Sequence, residues 1–300
     1  MRVEHFGAEP IKVTDDVLRD WPLPEPGEDK EARGRVLVIG GTAHTPGAVL
    51  LAGEAALRAG AGKLQIATAD PVAAALAVAV PEALVVPMAT DDHGNIDPEA
   101  AEAVHELAAD ADAILLGPGF SDARASADLM AQLLPLLDCP VVLDAVASAY
   151  LTRHRDGVEH LGGRAVLTVN PQELTRTLEK SDEPTGEQAI EAARRLAAET
   201  QAVVLLGGQG KVVAAPSGAT WLIERGGPGL GVSGSGDVQA GVVAGLLSRG
   251  ADATQAAAWG GSLHGAAGDE LATRVGAVGF LAREIGPRVP GLLEHFSRSG

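Results

Sequence analysis

Short apolar runs that end in glycine or in a lone polar residue recur along this chain and alternate with stretches of helical character. No other feature narrows the fold as far. The runs are Arg35-Val36-Leu37-Val38-Ile39, 64–68, 84–86, Ile114-Leu115-Leu116, Val141-Val142-Leu143, Val166-Leu167-Thr168 and Val203-Val204-Leu205-Leu206. A strand that is apolar on both faces must be covered on both, and parallel strands need crossover connections that helices supply. Helices are expected at about 47–60, 71–79, 97–109, 122–136 and 187–200, with two or three more closing the chain. The pattern therefore predicts an α/β protein with three α/β/α layers, a mostly parallel sheet carrying helices on both faces. Residues 212–214 and 219–223 flank Pro216-Ser217-Gly218, which reads as a hairpin and hence an antiparallel edge. Prolines at 22, 24 and 26 exclude regular structure there, so residues 1–34 are expected to be an N-terminal leader on the surface. No repeat, low-complexity linker or composition break divides the remainder, and residues 35–300 are expected to form a single domain.

Composition limits what such a domain can bind. Hydrophobic residues make up 46% of the chain but aromatics only 3%, so the core is aliphatic and there is no stacking platform for single-stranded nucleic acid. A net charge of −17 argues against general affinity for DNA, RNA or an anionic membrane. A polyanionic ligand would have to be captured by a local device. No apolar run approaches the ~20 residues of a membrane-spanning helix, and Glu4, Glu9 and Asp15 interrupt any signal-peptide core. The expected location is the cytoplasm. Cys139 is the only cysteine, so no intrachain disulfide is possible, and a buried, inert thiol is expected.

The local device is legible in residues 226–241, GGPGLGVSGSGDVQAG, where a glycine-rich loop delivers Asp237 to the start of an apolar, small-residue helix. The first turn of a helix has unpaired N–H groups and a partial positive charge, and it attracts phosphate. Gly-Ser-Gly-Asp thus reads as an anion cradle with a base built in, although Asp or Ser is also a common helix cap. Gly229, Gly231 and Gly234 spell G-x-G-x-x-G, but too late in the chain and without the downstream strand and acid of a dinucleotide fold. Val212 after Lys211 excludes a Walker A loop.

Other strand ends carry unusual chemistry: Gly40-Gly41-Thr42, Gly117-Pro118-Gly119, Asp144, Asn170-Pro171-Gln172-Glu173 and Gly207-Gly208-Gln209-Gly210. In an open α/β sheet these all face one edge, where ligands bind. Asp144 can face a ligand or end a turn. Asn170 and Glu173 can touch substrate or cap a helix. The eight histidines lack metal-ligand spacing, His264 reads as a core residue, and no serine sits in a nucleophile elbow.

The segments VLVIGGTAHTPGAVLLAGEAALRAGAGKLQIAT, LLGPG, VVLDA and GPGLGVSGSGDVQAGVVAGLL, followed by LHGAAGD, resemble the ADP/ATP-dependent NAD(P)H-hydrate dehydratases, which have a ribokinase-like fold. The resemblance runs from about Lys30 to Leu292. It implies repair of hydrated NADH or NADPH coupled to hydrolysis of ADP or ATP with Mg²⁺, by phosphorylation of the ring hydroxyl and loss of phosphate. It implies that Asp237 is the general base and that Ala48, Gly119, Asn170 and Asp237 contact the hydrated dinucleotide. Gly207, Gly208, Gln209, Gly210, Lys211, Gly234, Ser235 and Gly236 fall on the nucleotide side. A homo-oligomer such as a tetramer is also implied. The chain departs from the family pattern in having Asn170 for His, Val146 for a second acid after Asp144, Gly207 for the Lys of K-G-A-x-T, Lys211 for its Thr, and Ser235 for Thr. A ribokinase-like small-molecule kinase and a non-catalytic nucleotide-binding paralogue remain as alternatives.

Overall fold

The protein is described by a computed structural model covering residues 9–208 and 210–297. In chain order its elements are β1 (Ile11–Lys12), α1 (Asp15–Asp20), β2 (Arg35–Ile39), α2 (Pro46–Arg58), β3 (Lys63–Ala69), α3 (Asp70–Ala79), β4 (Ala83–Met88), α4 (Ala101–Ala108), β5 (Ala113–Leu116), α5 (Ala123–Leu133), β6 (Val141–Asp144), β7 (Ala165–Val169), α6 (Pro171–Thr177), α7 (Glu187–Thr200), β8 (Val203–Leu206), β9 (Lys211–Ala214), β10 (Thr220–Ile223), α8 (Ser235–Ser248), α9 (Ala253–Arg274), α10 (Ala282–Ile285) and α11 (Val289–Ser297). Among the described residues the strands make one 10-stranded sheet in the order β1-β10-β9-β8-β7-β6-β5-β2-β3-β4. Strands β2 to β8 are all parallel, and β9 runs antiparallel to both β8 and β10.

Alternation along each strand divides the core into two layers. Val36, Val38, Leu115, Val142 and Leu205 face α2, α8 and α9, while Leu37, Ile39, Ile114, Leu143 and Leu206 face α4 to α7. Each of these side chains is buried, which is why the runs carry no polar face. The fold is the three-layer arrangement expected from the sequence. Helix α8 is buried from Val238 to Ser248 because it is enclosed by α2, α9 and the sheet. A helix apolar all round belongs in such a place. Among the described residues no helix is long and apolar enough to cross a membrane.

The hairpin β9–β10 lies at the expected end of the sheet but is not its outermost pair. Strand β1 adds two residues of parallel pairing, Ile11 to Trp221 and Lys12 to Leu222. Leu18 of α1 is fully buried, Trp21 stacks on Trp221 with ring centroids 5.7 Å apart, and Asp15 pairs with Arg225. This stretch belongs to the leader expected at 1–34, and residues 1–8 of that leader lie outside the described residues. Cys139 is half-buried rather than fully enclosed. Burial pushes its thiol up to about 11, which keeps it protonated at neutral pH.

Candidate active site

Parallel pairing places the carboxyl ends of β6, β7 and β8 on one edge, at Asp144, Asn170 and Gly207. Because β9 runs the opposite way, it starts on that edge with Lys211, and β10 returns to it at Ile223, paired with Lys211. The loop after β10 then passes over the same edge into α8. These ends enclose a cavity of about 1010 Å³. Its lining includes Asp144, Thr168, Asn170, Glu173, Gly207, Gly208, Gly210, Lys211, Gly226, Gly234, Ser235, Gly236, Asp237 and His264.

Gly234 caps α8 with φ +89°, a left-handed conformation that costs glycine nothing and most residues about 1 kcal/mol or more. It supplies no side-chain cap, and among the described residues the Gly236 N–H has no partner. The Ser235 N–H is taken by the Val232 carbonyl at 3.1 Å, and Gly236, whose N–H stays open, lines the cavity. Asp237, on that turn, is partly buried at the cavity wall. Burial raises its pKa from the ordinary 3.8 to about 6, and the nearby Glu173 charge adds to the rise.

Asp144 is buried at the end of β6. Burial first, then the neighbouring Asp237 charge, hold it well above the usual carboxylate range. The Thr168 hydroxyl opposes this by donating to Oδ1 at 2.6 Å. Glu173 is raised as well, by burial, although its carboxylate accepts the Asn170 N–H at 2.9 Å. On the far side Lys211 is buried, and desolvation lowers its ammonium to about 8. His264 is fully enclosed and held neutral, by burial and then by the Lys211 charge. Its Nε2 lies 2.9 Å from Ser235 Oγ and 3.0 Å from the Ser235 carbonyl oxygen, which ties α9 to the first turn of α8.

Asn170 is a helix cap that also lines the cavity. Its side chain accepts the Glu173 N–H at 2.9 Å, closing a reciprocal capping box. Asn170→Ala is expected to cost about 0.5–2 kcal/mol through α6, read as a lowered melting temperature.

Ala48 and Gly119 do not line this cavity. They lie together beyond β2 and β5, where the chain order of the sheet reverses, and Thr45 Oγ1 donates to the Gly119 carbonyl at 2.5 Å. A Cβ placed on Gly119 would lie 3.0 Å from that of Ala48. The two regions adjoin through α2, since a Cβ on Gly234 would lie 2.5 Å from Leu51 Cδ1. Gln209 lies outside the described residues. Val146 packs partly buried against the layer of α4 to α7, so no second acid follows Asp144.

The donor set suits a nucleotide and a divalent cation. Open N–H groups and a buried lysine can receive phosphate, while Asp144, Glu173, Glu224 and Asp237 would repel a bare polyanion. Among the described residues no three His, Cys, Asp or Glu side chains converge to hold a metal. Mg²⁺ would thus be held mainly by phosphate and water, and Asp144 and Glu173 are the lining carboxylates that could join them.

A sheet of this order, with a glycine-rich helix start beyond its carboxyl edge, defines a ribokinase-like fold. A ribokinase-like superfamily protein from Enterococcus faecalis superposes with a TM-score of 0.79 at 24% identity, covering 96% of both chains. Residues 36–290 match the model of the NAD(P)H-hydrate dehydratase family, and the chain belongs to that family. An ADP-dependent (S)-NAD(P)H-hydrate dehydratase from Xanthomonas campestris is 46% identical over 95% of this chain and 97% of its own. A bifunctional NAD(P)H-hydrate repair enzyme from Moorella thermoacetica is 36% identical over 91% of this chain, which spans only 52% of that longer protein. The ADP/ATP-dependent NAD(P)H-hydrate dehydratase from Bacillus subtilis, co-crystallized with ATP/Mg²⁺, is 29% identical with a TM-score of 0.78, over 96% of this chain and 99% of its own.

Proposed function

We propose that this protein is a lyase that removes water from hydrated NADH or NADPH at the expense of ADP or ATP with Mg²⁺. The observation that carries the reading is Asp237, a partly buried carboxylate that burial raises to about 6, beside the open Gly236 N–H in a cavity of dinucleotide scale. In this reading the phosphate chain lies along Gly207 to Lys211 and against Gly234 to Gly236. The hydrated nicotinamide enters from Ala48, Gly119 and Asn170. Asp237 takes the proton of the ring hydroxyl as its oxygen bonds to the terminal phosphorus and the bond to the leaving nucleotide breaks. A positioned base is worth roughly 10²–10⁴-fold in rate. The N–H groups at the start of α8 receive the charge that develops on the phosphoryl oxygens. Mg²⁺, when bound, neutralises the phosphates. The ring C–O bond then breaks, phosphate leaves with the electron pair, the ring nitrogen lone pair assists, and loss of the neighbouring proton restores the double bond.

We take residues 35–300 as one catalytic domain, 1–34 as its leader, and a cytoplasmic homo-oligomer as the working form. Purified protein is expected to restore NADPH absorbance from the hydrate only when ADP or ATP is added. Recovery without nucleotide, or none with either, contradicts the proposal, and a stable phosphorylated product in place of NADPH identifies a kinase. The rate at low substrate is expected to climb with pH through about 6, because the base acts only after losing its proton. A rate that is flat across that range assigns the proton transfer elsewhere.

A further inference from the structure

Among the described residues lining the cavity, Lys211 is the only lysine or arginine, set against the carboxylates of Asp144, Glu173, Glu224 and Asp237. The imbalance is local as well as global, since the whole chain carries −17. The Lys211 stem runs from the start of β9 along α9, and its ammonium reaches the first residue of the glycine-rich loop. A Cβ placed on Gly261 would lie 3.5 Å from Lys211 Cδ, and one on Gly226 would lie 3.5 Å from Nζ. Among the described residues that ammonium makes no hydrogen bond and no ion pair. Asp269 acts on it only through space. Its two carboxylate oxygens accept the Gly226 N–H, each at 3.1 Å. His264, the other basic group of the lining, is held neutral and cannot share the task. The residue is 3% exposed and its ammonium faces the cavity, and a charge drawn largely out of water without a protein partner is normally met by an anion.

We propose that Lys211 is the phosphate-binding cation of the nucleotide site, and that it holds this role at the start of β9 because the end of β8 carries glycine. This rests on the nucleotide-dependent reading above. The two positions lie at either end of the short β8–β9 connection, on the same wall of the cavity. At Gly207 a Cβ would meet only the Val169 carbonyl oxygen, at 3.7 Å, and the backbone is not left-handed. The first carbon of a lysine side chain therefore has room there, at a position that lines the same cavity as Lys211. The charge is transferable between the two sites, which makes the proposal testable by moving it.

The experiment is calorimetric titration of Mg-ADP and Mg-ATP into the full chain, its Lys211→Met variant and the double variant Gly207→Lys with Lys211→Met. Lys211→Met keeps the length of the stem and is expected to bind nucleotide roughly 10- to 100-fold more weakly, the range for losing a hydrogen bond to a charged group. Its ligand-free melting temperature is expected to rise, because a largely desolvated charge without a protein partner is gone. The double variant is expected to recover most of the lost affinity. Lys211→Thr serves the same comparison if the Met variant does not fold. Undiminished binding by the single variants, or a double variant no tighter than Lys211→Met, overturns the proposal. Wild-type protein that binds neither nucleotide overturns both this inference and the functional reading. Wild-type protein that binds nucleotide and repairs cofactor, beside an equally tight Lys211→Met, overturns this inference alone.

Discussion

Asp237→Asn is expected to lower the turnover number by roughly 10²–10⁴-fold, the contribution of a positioned general base, while nucleotide affinity changes little. The amide keeps the size and the helix-start position of the side chain but cannot take a proton. The same substitution should affect stability in the opposite direction. In the folded protein burial raises the Asp237 pKa from 3.8 to about 6. Between those values the folded state holds more protons than the unfolded state, so the contribution of this group is present below about pH 4 and is lost as pH rises through about 6. Asn carries no such penalty. The melting temperature of Asp237→Asn relative to wild type is therefore expected to be more favourable at pH 8 than at pH 4. Scanning calorimetry at the two pH values, beside a repair assay, checks both halves. Unchanged turnover would remove Asp237 as the base, and a stability difference independent of pH would remove the buried-carboxylate account.

Gly241→Val is expected to destabilise the fold by about 3 kcal/mol, the upper part of the usual range for overpacking. Helices α2 and α8 meet through small residues, and a Cβ on Gly241 would lie 2.1 Å from the Ala52 carbonyl oxygen and 2.8 Å from its carbonyl carbon. These are backbone atoms, so no side chain can swing aside. The gain in helix propensity from Gly to Val is only about 0.5 kcal/mol and does not offset the clash. Because α8 carries Asp237 and α2 carries Ala48, parting the helices also moves the two sides of the proposed site apart. Loss of stability and loss of turnover should therefore appear together. Gly236→Ala is the control, since nothing lies within 4 Å of its added carbon and its backbone is not left-handed. The fold should tolerate it. Denaturant unfolding of the two variants decides the matter, and equal stability of Gly241→Val and wild type would contradict the packing argument.

The fold was legible because its strands are apolar on both faces and alternate with stretches of helical character. The helix expected at 187–200 is α7, Glu187–Thr200, and the strand expected at 203–206 is β8, Val203–Leu206. Irregular steps were less legible. The helix expected over 122–136 gives way to a 3-10 turn at Leu134–Leu136, where Pro135 cannot continue the hydrogen-bond ladder. Strand β1 has two residues, and its existence depends on a partner 210 positions away, Trp221 for Ile11. At the site, parallel pairing predicts that Asp144, Asn170 and Gly207 share one edge, and the antiparallel β9–β10 hairpin returns the chain to that edge before Asp237. The Thr168–Asp144 bond depends on register between neighbouring strands, and His264 meets Ser235 across 29 positions. Neither contact has a local signal. His264 read from its apolar neighbours as a core residue, which it is, and only the folded chain places it on the cavity wall. Ala48 and Gly119 came from resemblance, and their place beside the cavity rather than within its lining was not deducible from position along the chain.

The most direct measurement is a crystal structure of the protein with Mg-ADP or Mg-ATP and NADP. Phosphate oxygens are expected about 3 Å from the N–H groups of Gly234 and Gly236, with Lys211 Nζ on the same phosphates and the nicotinamide ring against Asp237 on the side of Ala48 and Gly119. Phosphates bound away from the start of α8, or a nicotinamide that leaves Asp237 facing only solvent, would contradict this arrangement.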